Sequence, residues 1–255
     1  MYIEIKNISK EFSRKDKNFL VLDNISLNID KGEFVCILGP SGCGKTMLLN
    51  IVAGFIKQSS GNVFIDGTLV NAPSPNHVVI FQDYGLLPWR TVHKNVELGL
   101  ESKKINNIKI DAAQRKRIAD KYIDMVGLSD FADLHPIQLS GGMKQRTAIA
   151  RALAVNPDII FMDEPFGALD AFTRTKMQDD ILRINLNENK TILFVTHDIE
   201  EAIFLSDRIV IMQPAPGRIK EIICVDQVSS RDRTSAEFLA TRNKILEIFN
   251  DVQRH

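Results

Sequence analysis

The chain has 255 residues, enough for one large domain or a core with a subdomain, and for a sizeable buried interior. Apolar residues make up 44% and charged residues 25%, and 32 basic side chains balance 32 acidic ones, so the strongly basic footprint of a nucleic-acid binder is missing. No apolar run approaches the roughly 20 residues of a membrane span, and Met1-Tyr2-Ile3-Glu4 does not read as a signal peptide, so any membrane role is expected to be peripheral. Cys36, Cys43 and Cys224 show neither metal spacing nor a disulfide pattern, which points to a reducing cytoplasm.

Residues 2–6 and 21–29 alternate apolar and polar, the period of strands in an antiparallel sheet with one solvated face. The polar residues 13–18 between them read as an exposed loop. Phe12, at its edge, is placed either to stack on a flat ring or to sit half-buried in its strand. A turn at residues 30–33 leads into the apolar run 34–38, a short buried strand bounded by Gly32 and Gly39. There follows Gly39-Pro40-Ser41-Gly42-Cys43-Gly44-Lys45-Thr46, and then residues 47–54, a helix closed by Gly54. Strand, glycine-rich turn and helix form the context of a phosphate-binding P-loop. The glycines let backbone N–H groups converge on one point, and the helix N-terminus adds the positive end of its dipole. Lys45 can reach terminal phosphates and the Thr46 hydroxyl can ligate Mg²⁺. Cys43, inside this loop, is either a small filler or a thiol activated by the helix N-terminus, which a thiol reagent would then block.

Residues 63–67 form a strand running into an Asp66-Gly67 turn, and residues 78–81 another that Gln82 ends. Residues 83–92 make an apolar, aromatic loop holding Trp89, the only tryptophan; it is either an exposed contact surface or a buried satellite core. From 92 to about 134 the pattern is helical, with Ile118, Tyr122, Ile123 and Val126 at three-to-four spacing. Residues 103–117 are charged and read as a loop and a solvated helix start, and Gly127 and His135-Pro136 interrupt the chain. This helical block reads as an inserted subdomain. Leu139-Ser140-Gly141-Gly142 then opens a strong helix through residue 154; a serine and two glycines there are either an ordinary N-cap or a second anion-binding end.

Residues 158–165 form a buried strand whose end carries Asp163 and Glu164. Consecutive strand side chains point to opposite faces, so Asp163 can face a metal and Glu164 a water. The loop 166–170 contains Asp170 and leads to an amphipathic helix over 171–186. A last buried strand, 191–198, ends in His197, a ligand-facing position like those of Gln82 and Asp163. The tail adds strands at 208–212 and 219–225, a Pro-Gly turn at 214–217, and a helix with a capping box at Thr234-Ser235-Ala236-Glu237. Its Phe238, Leu239, Ile245, Leu246 and Phe249 form an apolar face that packs on the core.

The P-loop, Gln82, Leu139-Ser140-Gly141-Gly142, residues 159–165, Ala168-Leu169-Asp170 and Thr196-His197 occur in this order over roughly residues 1–225. That set resembles the ATP-binding subunits of ABC transporters. The resemblance implies an α/β P-loop NTPase (RecA-like) core, residues 1–90 and 150–225, with an antiparallel β-subdomain. It also implies an inserted α-helical subdomain, residues 91–149, and leaves 226–255 as a C-terminal helical extension. It implies ATP and Mg²⁺ as cofactors and a head-to-tail homodimer that sandwiches each ATP between the P-loop of one copy and residues 140–142 of the other. Phe12 would stack on adenine, Lys45 and the backbone of Ser41, Gly42, Cys43, Gly44 and Thr46 would hold phosphates, and Gly39 and Pro40 would complete that loop. Thr46 and Gln82 would ligate Mg²⁺, with Asp163 holding it through water. Glu164 would be the general base, His197 would contact the γ-phosphate, and Asp170 would couple the two sites. Ser140, Gly141 and Gly142 would close on the γ-phosphate of the opposite copy. Met143 departs from the commonest signature, which has glutamine, while the Ser-Gly-Gly element is intact.

The stretch from Phe81 and Gln82 through Leu86-Leu87-Pro88-Trp89 to Val92 resembles importers of the nitrate, sulfonate and taurine group, as does Pro216-Gly217-Arg218-Ile219. That implies a transmembrane permease pair, a periplasmic or lipoprotein solute-binding protein, a place on the cytoplasmic face of the membrane, and no nucleic-acid partner. A soluble ABC-type ATPase acting on nucleic acid or the ribosome is the alternative, and such proteins carry tandem units or basic extensions not seen here. A P-loop kinase would have no reason to carry the Leu-Ser-Gly-Gly signature, and a binding-only degenerate subunit would not keep Lys45, Asp163, Glu164 and His197.

Overall fold

The computed structural model describes residues 1–14, 17–101, 104–105, 108–214, 216–225 and 231–253. In chain order it contains β1 (Ile3–Arg14), β2 (Lys17–Ile29), β3 (Phe34–Leu38), α1 (Lys45–Val52), β4 (Ser60–Ile65), β5 (Thr68–Leu69) and β6 (His77–Ile80). Then follow α2 (Val92–Glu97), the two-residue strands β7 (Lys104–Ile105) and β8 (Ile108–Lys109), α3 (Ala112–Met125), α4 (Gly141–Ala154) and β9 (Ile159–Asp163). The chain continues through α5 (Ala171–Glu188), β10 (Thr191–Thr196), α6 (Ile199–Leu205), β11 (Arg208–Gln213), β12 (Arg218–Cys224) and α7 (Ala236–Gln253). These elements fall into two compact units, residues 1–77 with 181–255, and residues 78–180.

The first unit holds an antiparallel sheet of order β2-β1-β4-β5. Its alternating strands bury Ile3, Ile5, Ile25, Leu27 and Ile29, as the period-two pattern requires. β1 and β2 pair from Ile3 opposite Ile29 to Arg14 opposite Lys17, so the stretch 13–18 expected as a loop is mostly strand. Phe12 faces Phe19 across the pair, and the Ser13 hydroxyl donates to Asn18 Oδ1 at 2.8 Å. Cross-strand contacts of this kind hold polar residues in a ladder. Lys15 and Asp16, the tip of that expected loop, lie outside the described residues. Asn7 and Asn24, each at φ 51, take up irregularities in the register, and Ser26 Oγ and Ser9 Oγ accept their backbone N–H groups at 3.0 Å.

The same unit contains strands in the order β12-β11-β3-β10, with β3 parallel to β10 and β11, and β12 antiparallel to β11. β3 and β10 are buried at every position, which explains why their sequences are continuous apolar runs. Phe34 and Phe194 meet edge to face with ring centroids 6.0 Å apart. α7 begins one residue later than its sequence suggested. Ser235 Oγ caps it by accepting from Phe238 N at 3.1 Å, while the Thr234 hydroxyl is turned to Asp232. Only part of its expected apolar face is covered: Phe238 and Ile245 are buried, whereas Leu239 and Leu246 are exposed. Residues 226–230, at the start of the expected C-terminal extension, lie outside the described residues.

In the second unit β9 and β6 are neighbours, and α2, α3 and α4 pack on one another. Val92, Val96, Ala119, Ile123, Ile149 and Leu153 are buried there. The helix start expected within 103–117 is present and well capped: Asp111 Oδ1 accepts from Gln114 N at 2.7 Å, and Gln114 Oε1 accepts from Asp111 N at 3.2 Å. The hairpin of β7 and β8 in the same stretch is new, since two-residue strands carry no readable period.

The buried ring pair sets a stability test. Phe194→Ala should lose about 3–5 kcal/mol of unfolding free energy, whereas Leu239→Ala on the exposed side of α7 should stay within about 0.5 kcal/mol; urea unfolding measures both.

Candidate functional site

In the first unit Leu38 pairs with Thr196, so Gly39 and His197 leave β3 and β10 at the same edge. The chain turns through residues 39–44 into α1, whose N-cap Gly44 has φ 93, a backbone that L side chains rarely adopt. Lys45 opens the helix with 6% of its surface exposed, and its Nζ donates to Gly39 O at 2.8 Å and Pro40 O at 3.1 Å. The ammonium is thus held across the mouth of the loop, where phosphate oxygens would be stronger acceptors than carbonyls. Ser41, Gly42 and Thr46 are exposed.

Sequence reasoning missed what braces this loop. Gly217 N donates to Val21 O and Gly217 O accepts from Asp23 N, both at 2.9 Å. A Cβ at residue 217 would lie 2.2 Å from Cys43 O, so only glycine fits under the loop. The available signal was the Pro-Gly pair in the tail. Cys43 itself is fully buried beside Gly39, and burial pushes its thiol up despite the opposing charge of Lys45. The activated-thiol reading therefore gives way to the filler one, because desolvation outweighs the helix N-terminus. Cys36, on β3, is raised further by burial and then by the Glu201 carboxylate.

His197 is exposed at the strand end, and its neighbours are fixed. The Thr196 hydroxyl donates to the buried Glu201 carboxylate at 2.8 Å and accepts from Asp198 N at 3.1 Å. Asp198 Oδ1 caps α6 by accepting from Glu200 N and Glu201 N at 2.8 and 3.1 Å. Phe12 is 43% exposed on the β1–β2 hairpin, with the Lys10 ammonium 4.9 Å from its ring centroid. Stacking on a flat ligand stays open to it.

In the second unit β9 ends at Asp163, which is 4% exposed. Glu164 has left the strand: its φ is 47, and its carbonyl accepts from Gly167 N at 3.3 Å. Glu164 therefore lies beyond the strand in a left-handed turn, and the strand alternation expected to separate it from Asp163 stops at Asp163. A non-glycine residue held there is strained, a condition that clusters at functional sites. Asp170 is exposed and starts α5, its Oδ1 accepting from Thr173 N at 3.0 Å; the Thr173 hydrogen bonds hold its carboxyl below the ordinary value.

Ser140 caps α4, its Oγ accepting from Met143 N at 3.3 Å. A Cβ on Gly141 would lie 3.3 Å from Tyr84 Oη and 3.7 Å from Ala168 Cβ, and one on Gly142 would lie 3.4 Å from Ala168 O. The serine-glycine end of α4, the loop that follows exposed Gln82, and the loop before Asp170 therefore meet. Tyr84 and Gly85 are both left-handed, at φ 64 and 54. Arg151 takes their carbonyls, Nη2 donating to Tyr84 O at 2.8 Å and Nη1 to Gly85 O at 2.5 Å. Burial lowers the Arg151 pKa, with the Asp83 charge opposing. Downstream, fully buried Asn95 accepts from Leu87 N at 2.8 Å and donates to the carbonyls of Leu87, Arg90 and Thr91 at 3.1, 3.0 and 3.0 Å. Trp89 is 71% exposed, which decides for the contact-surface reading of the loop. Arg151 and Asn95 were not legible as anchors, although Asn95 lies between Val92 and Val96 on a helix that buries both.

The ABC transporter family profile matches residues 22–167. The chain belongs to the ABC transporter ATP-binding family. An uncharacterized ABC transporter ATP-binding protein of Methanocaldococcus jannaschii is 50% identical over 98% of this chain and 91% of its own. The bicarbonate transport ATP-binding protein of Synechocystis is 43% identical, covering 91% of this chain and 82% of that one. The aliphatic sulfonates import ATP-binding protein of Bacillus cereus is 42% identical, covering 98% and 96%. Among solved structures, a dimeric ATP-binding cassette in a post-hydrolysis state with ADP and Pi is similar at TM-score 0.79 and 35% identity, over 88% of this chain and 99% of that one. The fold is accordingly the α/β P-loop NTPase of ABC cassettes, and the chain is an ATPase that powers transport, with ATP as cofactor and Mg²⁺ as the usual ion of the family. Among the described residues no helix is long and apolar enough to cross a membrane.

Thr46, Gln82 and Asp163 offer a hydroxyl, an amide oxygen and a carboxylate, the hard donors Mg²⁺ takes. Among the described residues no group of three or more His, Cys, Asp or Glu forms a separate metal site.

Gly217→Ala should raise the dissociation constant for ATP by about tenfold, roughly 1.4 kcal/mol, without loss of fold, read by titration with a fluorescent ATP analogue. Cys224 is exposed while Cys36 and Cys43 are buried with raised pKa values, so Ellman's reagent should label Cys224 promptly and the other two only on unfolding.

Proposed function

We propose that this chain is the ATP-hydrolysing subunit of an importer for a small anion, in the class of nitrate, taurine, alkanesulfonates or bicarbonate. In this reading it works as a head-to-tail pair on a transmembrane permease pair at the cytoplasmic face of the membrane, supplied by a solute-binding protein. The observation that carries the reading is the loop with exposed Pro88 and Trp89, clamped by Asn95 and Arg151, in a chain more than two-fifths identical to bicarbonate and sulfonate subunits. An exposed aromatic on a rigid backbone is a contact surface whose ordering cost is already met.

The chemistry is transfer of the γ-phosphoryl group to water, driven by positioning and electrostatics. Phe12 stacks on adenine. Lys45 and the N–H groups of the P-loop hold the phosphates, and His197 fixes the γ-phosphate from the edge at which β10 ends. Glu164, in its left-handed turn beyond Asp163, orients and polarises the attacking water. Thr46 and Gln82 would hold Mg²⁺, with Asp163 reaching it through water, and the ion would supply neutralisation of phosphate charge. Ser140, Gly141 and Gly142 close on the γ-phosphate held by the opposite copy, using the N-terminus of α4, and Asp170 couples the two sites.

Glu164→Gln should reduce phosphate release by about a thousandfold or more, the scale on which catalytic groups act, and should trap an ATP-bound pair visible by size-exclusion chromatography. Turnover at the wild-type rate would remove Glu164 as the base. Affinity capture from gently solubilised membranes should recover a multi-span permease, and Leu87→Ser with Trp89→Ser should lose it. A ribosomal or nucleic-acid partner set would overturn the importer reading while leaving the ATPase intact.

A further inference from the structure

Tyr84 is left over once the site has been assigned. Its backbone carbonyl is gripped by Arg151 Nη2 at 2.8 Å, while its hydroxyl oxygen lies beside Gly141, 3.3 Å from where a Cβ on that residue would stand. Gly141 opens α4 and Arg151 lies in its last turn. At roughly 1.5 Å of rise per residue those two positions are about 15 Å apart along the helix axis. One residue that touches both, by its carbonyl at one and its hydroxyl at the other through the reach of the arginine, must lay its ring along the helix. The backbone from which the ring springs is constrained at Tyr84 and beyond it. Tyr84 and Gly85 occupy left-handed conformations, and Asn95 fixes the chain from Leu87 to Thr91. Ala168 also borders Gly141, and Ala168 O and Leu169 stand against Gly142.

We infer that Tyr84 is a positioning residue: its ring is a strut that sets where the Ser140-Gly141-Gly142 end of α4 stands relative to the loop carrying Trp89. A displacement of that loop by a docked partner is then delivered to the anion-binding end through a rigid ring, with no change in the helix itself. The strut needs the ring's length more than its hydroxyl, so phenylalanine preserves it and alanine removes it. The ring stands beside Gly141, which in this reading serves the ATP of the opposite copy, so nucleotide capture by a single copy should not depend on the ring.

The inference rests on the reading that residues 140–142 close on the ATP of a second copy, and the test separates the two. In the Glu164→Gln background, ATP-driven pairing is measured by sedimentation, and affinity of the dilute single copy for a fluorescent ATP analogue is measured alongside. Tyr84→Ala should weaken pairing by about tenfold and leave single-copy affinity within about twofold, and Tyr84→Phe should restore pairing to within about twofold of the parent. Equal pairing of Tyr84→Ala and the parent would overturn the strut. So would a parallel loss of single-copy affinity, which marks general damage. Absence of pairing in the parent would overturn the closing role of residues 140–142, and the strut with it. Should Tyr84→Ala not fold, as judged by urea unfolding, Tyr84→Leu takes its place with the same outcomes.

Discussion

A buried cation has to be paired or hydrogen-bonded, and Lys45 is buried at the start of α1 with the carbonyls of Gly39 and Pro40 as its partners. Much of the first unit follows from that requirement. The carbonyls can turn inward only because residues 39–44 form a tight loop, and the loop can be tight only because β3 ends at one edge with β10 beside it in parallel register. Gly217 comes up beneath Cys43 where any side chain would displace the loop. A phosphate then competes with two neutral carbonyls for one ammonium, an exchange that favours the anion.

The second unit solves its positioning problem with the same chemistry. A loop with two consecutive left-handed residues is held by a guanidinium on their carbonyls and by one buried amide downstream. These anchors commit buried polar groups to backbone atoms, which rigidifies an exposed surface without adding apolar core. Strain at Glu164 and Tyr84 falls where the sequence motifs lie. That is where a fold tolerates strain in exchange for aim.

The strand-loop-helix of the P-loop, the buried strands β3, β9 and β10, and the cap of α4 were legible because each has a local cause: a glycine pattern, an apolar run, or a serine before two glycines. The β1–β2 hairpin was under-read because cross-strand pairs such as Phe12 with Phe19 extend it through polar sequence. The exposure of Trp89 could not be read locally, since the polar anchor that lifts it, Asn95, is recognisable only once its four backbone partners are in place. Cys43 shows the opposite failure. A motif rule for helix N-termini suggested activation, and burial, invisible in the sequence, reversed the sign.

Steady-state phosphate release by the purified chain with ATP and Mg²⁺, beside Lys45→Ala, is the direct test of ATP hydrolysis through the Lys45 loop. The native chain should turn over ATP and the variant should lose at least about a hundredfold, the scale expected when a charge on a transferring phosphoryl group is removed, while still unfolding in a cooperative urea transition. Turnover of the variant at the native rate would contradict it.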